Sequence, residues 1–366
     1  MENIISYVGN ELRTFDQKPF CNVDSLVLSQ LAYVHFDGFV PPPNKCASNV
    51  TVMSLFKAEY FSSLFDGTRD AEKSRQMFLN MAASPRFRGI KICGYINKFD
   101  ADSSMQFCAV TFSLGDDTNY IAFRGTDGTM VGWKEDFDMA FICPVPAQYE
   151  SVQYINEIGG CTRGTLRVGG HSKGGNLAVY AAMKCSREVR DRVTDIYSHD
   201  GPGFRKEVIE SADFESIVGR IDKTLPKSSV IGMLLQNHEK YSVVDSDRFW
   251  IMQHDPFSWE IDKDKFRVID KISSGAQYIN DTFAKWLSEQ SDEKRQLFVN
   301  TLFNIMKSTN AETLNQITDN WARQIPTFYS AYKDLDEETK KELADLIKEL
   351  AKIAIKNIGD DNKFLK

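Results

Sequence analysis

The chain has 366 residues, with 44 Lys and Arg against 51 Asp and Glu for a formal charge of −7, and 42% hydrophobic against 26% charged residues. Such a composition belongs to a soluble globular protein, either one large domain or a domain with an appendage, and excludes a disordered chain. Mild acidity without a basic run also excludes the electrostatic footprint of a nucleic-acid binder or of a protein drawn to an anionic membrane.

The N-terminal MENIISYVGNELRTF lacks the basic start and apolar run of a signal peptide. No window approaches the roughly 18 apolar residues of a membrane span, so a cytoplasmic protein without integral membrane contact is expected. Cysteines at 21, 46, 93, 108, 143, 161 and 185 form no CxxC pair or metal-finger spacing and read as scattered reduced thiols.

In chain order, Leu26, Val27, Gln30, Leu31 and Val34 follow helical spacing with Asp24 as N-cap, and two further helices are expected over 52–65 and 70–83. Between them, 37–50 contains Pro41-Pro42-Pro43 and reads as a loop, because proline lacks the backbone donor. Three strand-like runs at 89–99, 105–114 and 118–125, punctuated by DADSS and GDD, predict an antiparallel meander.

After 126 the texture changes to helix near 131–142, helix near 147–158, strand 165–170, helix 173–186 and strand 193–199. Alternating strand and helix argue a parallel sheet with right-handed crossovers, making the class α/β. Shorter strands are expected at 229–235, 241–245 and 249–252. Beyond about 262 the chain turns helical, with Leu297, Phe298, Leu302 and Ile305 and later Leu343, Leu346, Leu350 and Ile353 at helical spacing, the last helix starting after Asp334. This divides the chain into 1–262 and a helical appendage over 263–366.

Gly170-His171-Ser172-Lys173-Gly174 fits G-x-S-x-G and lies between a strand and a helix. There a tight turn can present a nucleophilic hydroxyl, with glycines relieving the contact of helix and strand. Ser172 is therefore the candidate nucleophile, and it needs a base and an orienting carboxylate. Of five histidines, His35 precedes the sheet, His171 diverges from the serine hydroxyl, His199 reads as a core or edge residue and His238 as solvated. His254, in a late loop, fits the Ser…Asp/Glu…His order. Asp200 closes strand 193–199 at its carboxyl edge and is the first candidate acid, with Asp245 and Glu239 as alternatives. Oxyanion donors are expected from the Lys173 amide and from the Gly125-Thr126-Asp127-Gly128 turn, with the Thr126 hydroxyl able to contribute.

Phe123-Arg124-Gly125-Thr126, Trp133, Asp136 and GHSKGGNLA resemble the class 3 lipase branch of the α/β-hydrolase superfamily. SHDGPGF, SSVIGMLL, QHDPFSW and the helix DSLVLSQLAYV are similar, more particularly, to the uncharacterised bacterial Mbeg-like group of lipase-like proteins. The resemblance implies an α/β-hydrolase fold with a nucleophile elbow, Ser172 as nucleophile, His254 as base, Thr126 and Lys173 at the oxyanion, and Trp133 and Asp136 in structural roles. Two positions depart from it. Ser228-Ser229-Val230-Ile231 stands where those lipases carry their acid, so the acid has moved to Asp200 or the triad is incomplete. Lys173 replaces an apolar Leu and is expected to snorkel into solvent.

The implied activity is hydrolysis of a small-molecule or lipid carboxylic ester through an acyl-enzyme, with no metal or organic cofactor and acyl transfer as a lesser variant. The competing reading is a decayed lipase-like scaffold whose C-terminal helices dock a protein partner.

Overall fold

The computed structural model describes residues 2–45, 47, 50–115, 117–309 and 321–364. Its centre is an eight-stranded sheet in the order β1 (Lys91–Asp100), β2 (Met105–Ser113), β3 (Thr118–Phe123), β4 (Thr165–His171), β5 (Val193–His199), β6 (Ile221–Pro226), β7 (Tyr241–Val244) and Val268–Ile269. The first three strands pair antiparallel, β3 to β7 run parallel, and Val268–Ile269 closes the far edge antiparallel to β7. The expected class, meander and parallel core are all present, consistent with an α/β-hydrolase fold.

Period two sorts each strand between two cores. Cys108, Val110 and Phe112 of β2, with Tyr120 and Ala122 of β3, face the N-terminal helices α1 (Ile4–Asn10), α2 (Asn22–Leu31), α3 (Phe61–Phe65) and α4 (Ala71–Ala83). Phe107, Ala109, Ile121 and Phe123 face the other side, where the helices are α6 (Pro146–Cys161) and α7 (Lys173–Lys184), and α5 (Met130–Asp138) also packs against β2. Each sheet face is thus covered, which is why β3 is buried at every position.

Several boundaries differ from the sequence expectation. Helix α2 begins at Asn22, and Asp24 sits inside its first turn, accepting from the Cys21 amide at 2.9 Å. Asp24 is held there by Arg86, whose Nε and Nη2 donate to its two carboxylate oxygens at 2.8 and 2.6 Å with both side chains fully buried. This pair pins α2, and with it the segment leading to Tyr33, against the sheet. Residues 229–235 form turns around Asp200, while β6, which lies upstream of the expected strand, fills the place in the sheet. Residues 250–254 form a 3-10 helix.

The last helix, Glu337–Phe364, is capped by Asp336, whose Oδ1 accepts from the Thr339 amide at 2.8 Å; Asp334 plays no part in that cap. Leu343 and Leu346 are buried as expected, and the side chains of Leu350 and Ile353 lie outside the described ones. The helix Asp292–Lys307 packs on α5 and the turn after it through Met130, Phe141, Val299 and Phe303, and the helix Ser274–Glu289 is tied to the turn around Asp200 by Asn280 Nδ2, which donates to Ser229 O at 3.0 Å.

The reading of seven reduced thiols fails at Cys161, which is disulfide-bonded, because linear spacing carries no information on which thiols a fold brings together. Cys21, Cys93, Cys108, Cys143 and Cys185 are free, and Cys46 lies outside the described residues. Among the described residues no helix is long and apolar enough to cross a membrane.

Candidate functional site

Strand β4 ends at His171 and α7 begins at Lys173, leaving Ser172 alone to turn the chain, with φ 59° and ψ −134°. An L-residue pays on the order of 1–3 kcal/mol for such a backbone. It is held by the Ser172 amide donating to His199 O and the Gly175 amide donating to Ser172 O, both at 2.9 Å. The turn is possible only with glycine on both flanks. A Cβ on Gly174 would lie 2.0 Å from Phe123 O, and one on Gly170 would lie 2.3 Å from the Gly174 carbonyl carbon.

Parallel pairing of β4 with β5 sets His171 beside His199 and carries Asp200 to the same carboxyl edge of the sheet as Ser172. Asp200 itself has φ 50° and is fully buried. Its Oδ1 accepts from the Ser229 hydroxyl at 2.5 Å and the Gly232 amide at 3.1 Å, which leaves Oδ2 to meet His254 Nδ1 at 2.6 Å. His254 Nε2 lies 2.9 Å from Ser172 Oγ. With an acceptor at Nδ1, the ring proton resides there, and Nε2 presents a bare lone pair to the serine hydroxyl. The three side chains singled out from the sequence therefore form one continuous hydrogen-bonded line.

Ser229 accounts for the missing lipase acid position. The strand end that lacks a carboxylate supplies a hydroxyl, and that hydroxyl bonds the carboxylate one strand away. Of the alternative acids, Glu239 pairs with Lys223 at 2.9 Å, and Asp245 accepts from the Ser246 amide; neither meets His254.

His171 turns away from Ser172 as expected. Its Nε2 meets the carbonyl of His254 at 2.9 Å and its ring lies 4.6 Å from the His254 ring, so it buttresses that loop. Burial, foremost, keeps this imidazole neutral by holding it well below the usual histidine range. His199 is a core residue, bonded to Ser25 Oγ at 2.9 Å and pushed down to about 3 by burial. His238 is exposed, and His35 lies in the turn after α2 rather than in a helix.

Lys173 departs from the expectation of a solvated side chain. Its ammonium is fully buried, 2.8 Å from Glu135 Oε2 and 2.9 Å from Gln106 O. Glu135 also accepts from the Gln106 amide at 3.1 Å and the Ala147 amide at 2.8 Å. A buried cation survives only with a carboxylate and further acceptors, and β2, α5 and α6 meet around this residue to provide them.

Thr126 Oγ1 donates to Asp136 Oδ2 at 2.6 Å, so the hydroxyl is engaged by a neighbour. Burial, partly offset by the Lys173 cation, raises Asp136 to about 6. The folded state thus binds a proton that the unfolded chain, titrating near 3.8, has lost, and stability falls as pH rises through that window. Asp136→Asn is expected to lose about 2 kcal/mol less stability than the unsubstituted protein between roughly pH 4.5 and 7.5. Parallel urea-melt profiles for the two proteins across this range would contradict it.

The Mbeg1-like family model matches residues 81–304 of the chain. The chain belongs to the Mbeg1-like family. This is a lipase-like α/β-hydrolase family of unknown function, in agreement with the sheet described above. No curated protein matches the chain. The matched Mbeg1-like span starts in α4, takes in Ser172, Asp200, His254 and the helix Ser274–Glu289, and ends within the helix Asp292–Lys307.

Sequence reasoning passed over Glu135 and Ser229. Glu135 carried one usable signal, since a lysine placed where a packed helix starts demands a carboxylate within reach. Ser229 carried none, because only folding brings it to Asp200.

Proposed function

We propose that this Mbeg1-like protein is a serine hydrolase of carboxylic esters. The observation that carries the reading is the hydrogen-bonded line Ser172 Oγ to His254 Nε2 at 2.9 Å and His254 Nδ1 to Asp200 Oδ2 at 2.6 Å. His254 takes the Ser172 proton as Oγ attacks the ester carbonyl, and Asp200 stabilises the imidazolium that forms. The oxyanion is received by the Lys173 amide at the start of α7 and by the amide of Thr126, whose hydroxyl is committed to Asp136. Each such donor is worth on the order of 10²–10³ in kcat. His254 then passes the proton to the leaving alcohol, and water, activated by the same imidazole, releases the acid and restores Ser172.

The scaffold alternative drew its motive from the absent acid at the lipase position. Asp200, hydrogen-bonded on both oxygens and in contact with His254, supports the hydrolase reading over it.

Purified protein is expected to react with a fluorophosphonate probe, with the adduct mapped by mass spectrometry to Ser172, and to hydrolyse p-nitrophenyl butyrate. Folded protein that does neither would sink the proposal.

A further inference from the structure

We propose that the pocket beside Ser172 and His254 receives an anionic, hydroxyl-bearing part of the ester substrate, a phosphate or a carboxylate, through Arg69, Tyr33 and Gln30. Its place next to the scissile bond rests on the hydrolase reading; the binding chemistry does not.

The pocket has a volume of about 230 Å³ and is lined by Gln30, Tyr33, Arg69, His171, Arg248 and Asp255 among others. Three of these residues bury polar atoms with unspent hydrogen-bonding capacity: Gln30 Nε2, His171 Nδ1 and Tyr33 Oη, which faces the Gly125 backbone amide and has no acceptor for its own proton among the described residues. Gln30 and Tyr33 are each 6% exposed and His171 is 1% exposed. Buried polar groups are almost always satisfied, so three with capacity to spare around a single cavity point to a partner that arrives from outside.

The polarity of the three is informative. Gln30 offers amide protons and Tyr33 a phenol proton. His171 spends its Nε2 proton on the carbonyl of His254, so its Nδ1 is a bare acceptor for a hydroxyl.

Charge points the same way. Arg248 pairs with Asp255 at 3.2 Å, and Lys73 bridges Asp70 and Asp255 at 2.9 and 3.0 Å. Arg69, exposed at the rim, has no carboxylate partner among the described residues, and its charge reaches both the Tyr33 phenol and the His171 ring. Arg69 and Arg248 of the lining stand against Asp70 and Asp255, both of which also pair with Lys73 outside the lining, so among the described residues Arg69 is the cation left without a carboxylate. An alkyl chain placed here would leave the Gln30, Tyr33 and Arg69 donors desolvated and unpaired, whereas an oxyanion satisfies them.

Proximity to the reacting groups is set by Gly125. A Cβ built there would lie 2.4 Å from Tyr33 Oη and 3.0 Å from Ser172 Cβ, so the phenol and the serine flank the same glycine.

Calorimetry with glycerol 3-phosphate, which carries no ester of a carboxylic acid, reads the pocket without turnover. Saturable binding is expected, weakened about tenfold or more in Arg69→Gln and in Tyr33→Phe. Absence of saturable binding, or equal affinity in both variants while they melt as the unsubstituted protein does, overturns the proposal. In kinetics, kcat/KM for 1-butyryl-glycerol 3-phosphate should exceed that for monobutyrin about tenfold, a ratio that collapses in Arg69→Gln. A ratio unchanged by that substitution also overturns it.

Vesicles of phosphatidic acid in phosphatidylcholine separate the sources of the anion. Cleavage of the soluble ester alone assigns a free phosphate ester, cleavage in the vesicle as well assigns a lipid headgroup, and both support the pocket. Binding with no turnover of any ester leaves the pocket standing and defeats the hydrolase reading.

Discussion

Asp200→Asn is expected to lower kcat/KM for p-nitrophenyl butyrate by about four orders of magnitude while the protein stays folded. The reason lies in the direction of one hydrogen bond. Asp200 Oδ2 accepts the Nδ1 proton of His254, which leaves Nε2 as the lone pair facing Ser172. An amide at 200 must keep its oxygen toward the Ser229 hydroxyl and the Gly232 amide, both of which are donors. Its NH2 then faces Nδ1, the imidazole takes the other tautomer, and the base presents a proton where it needs a lone pair. Ser172→Ala is expected to remove probe labelling altogether. Asp245→Asn, well away from His254, serves as the control. Turnover in Asp200→Asn within tenfold of the unsubstituted protein would remove Asp200 from the mechanism.

The second large effect concerns stability. Glu135→Ala strands the Lys173 ammonium in a site with no exposure and deprives the Gln106 and Ala147 amides of their acceptor. Breaking a buried pair from one side costs about 3–5 kcal/mol. The double variant Glu135→Gln with Lys173→Met replaces the charges by groups of similar volume and keeps an oxygen for the two amides, so most of the loss should return. Urea unfolding of the single and double variants measures both. A single variant within about 1 kcal/mol of the starting protein would mean that water reaches the ammonium and that the pair holds nothing.

These two predictions concern neighbouring residues with different tasks. Lys173 contributes its amide at the turn after Ser172, and its side chain anchors that turn to β2, α5 and α6 through Gln106, Glu135 and Ala147. The strained backbone at 172 therefore rests on a polar network as well as on close glycine packing. An apolar residue at 173 could fill the space but could not tie three elements together.

Local signals in the chain determined the alternation of strand and helix after 126, the meander before it, the tight turn at Ser172 and the late placement of His254. Each rests on periodicity or on residues whose backbone demands are intrinsic, and these need no distant partner to be read. The boundaries that moved did so under tertiary forces. Asp24 sits within α2 because Arg86, far along the chain, claims its carboxylate. The 229–235 run failed as a strand because Gly232 and Ser229 are drawn to Asp200. The choice among Asp200, Asp245 and Glu239 could not be made from the chain, since all three are acidic residues in late turns. Pairing of β4 with β5 separates them in space, because parallel register carries the end of β5 to the same edge as Ser172, where Asp200 meets His254. The burial of Lys173 and the gathering of Tyr33, Gln30 and Arg69 beside the serine were likewise decided only by folding, because charge pairing and cavity formation depend on distances through space that linear order does not contain.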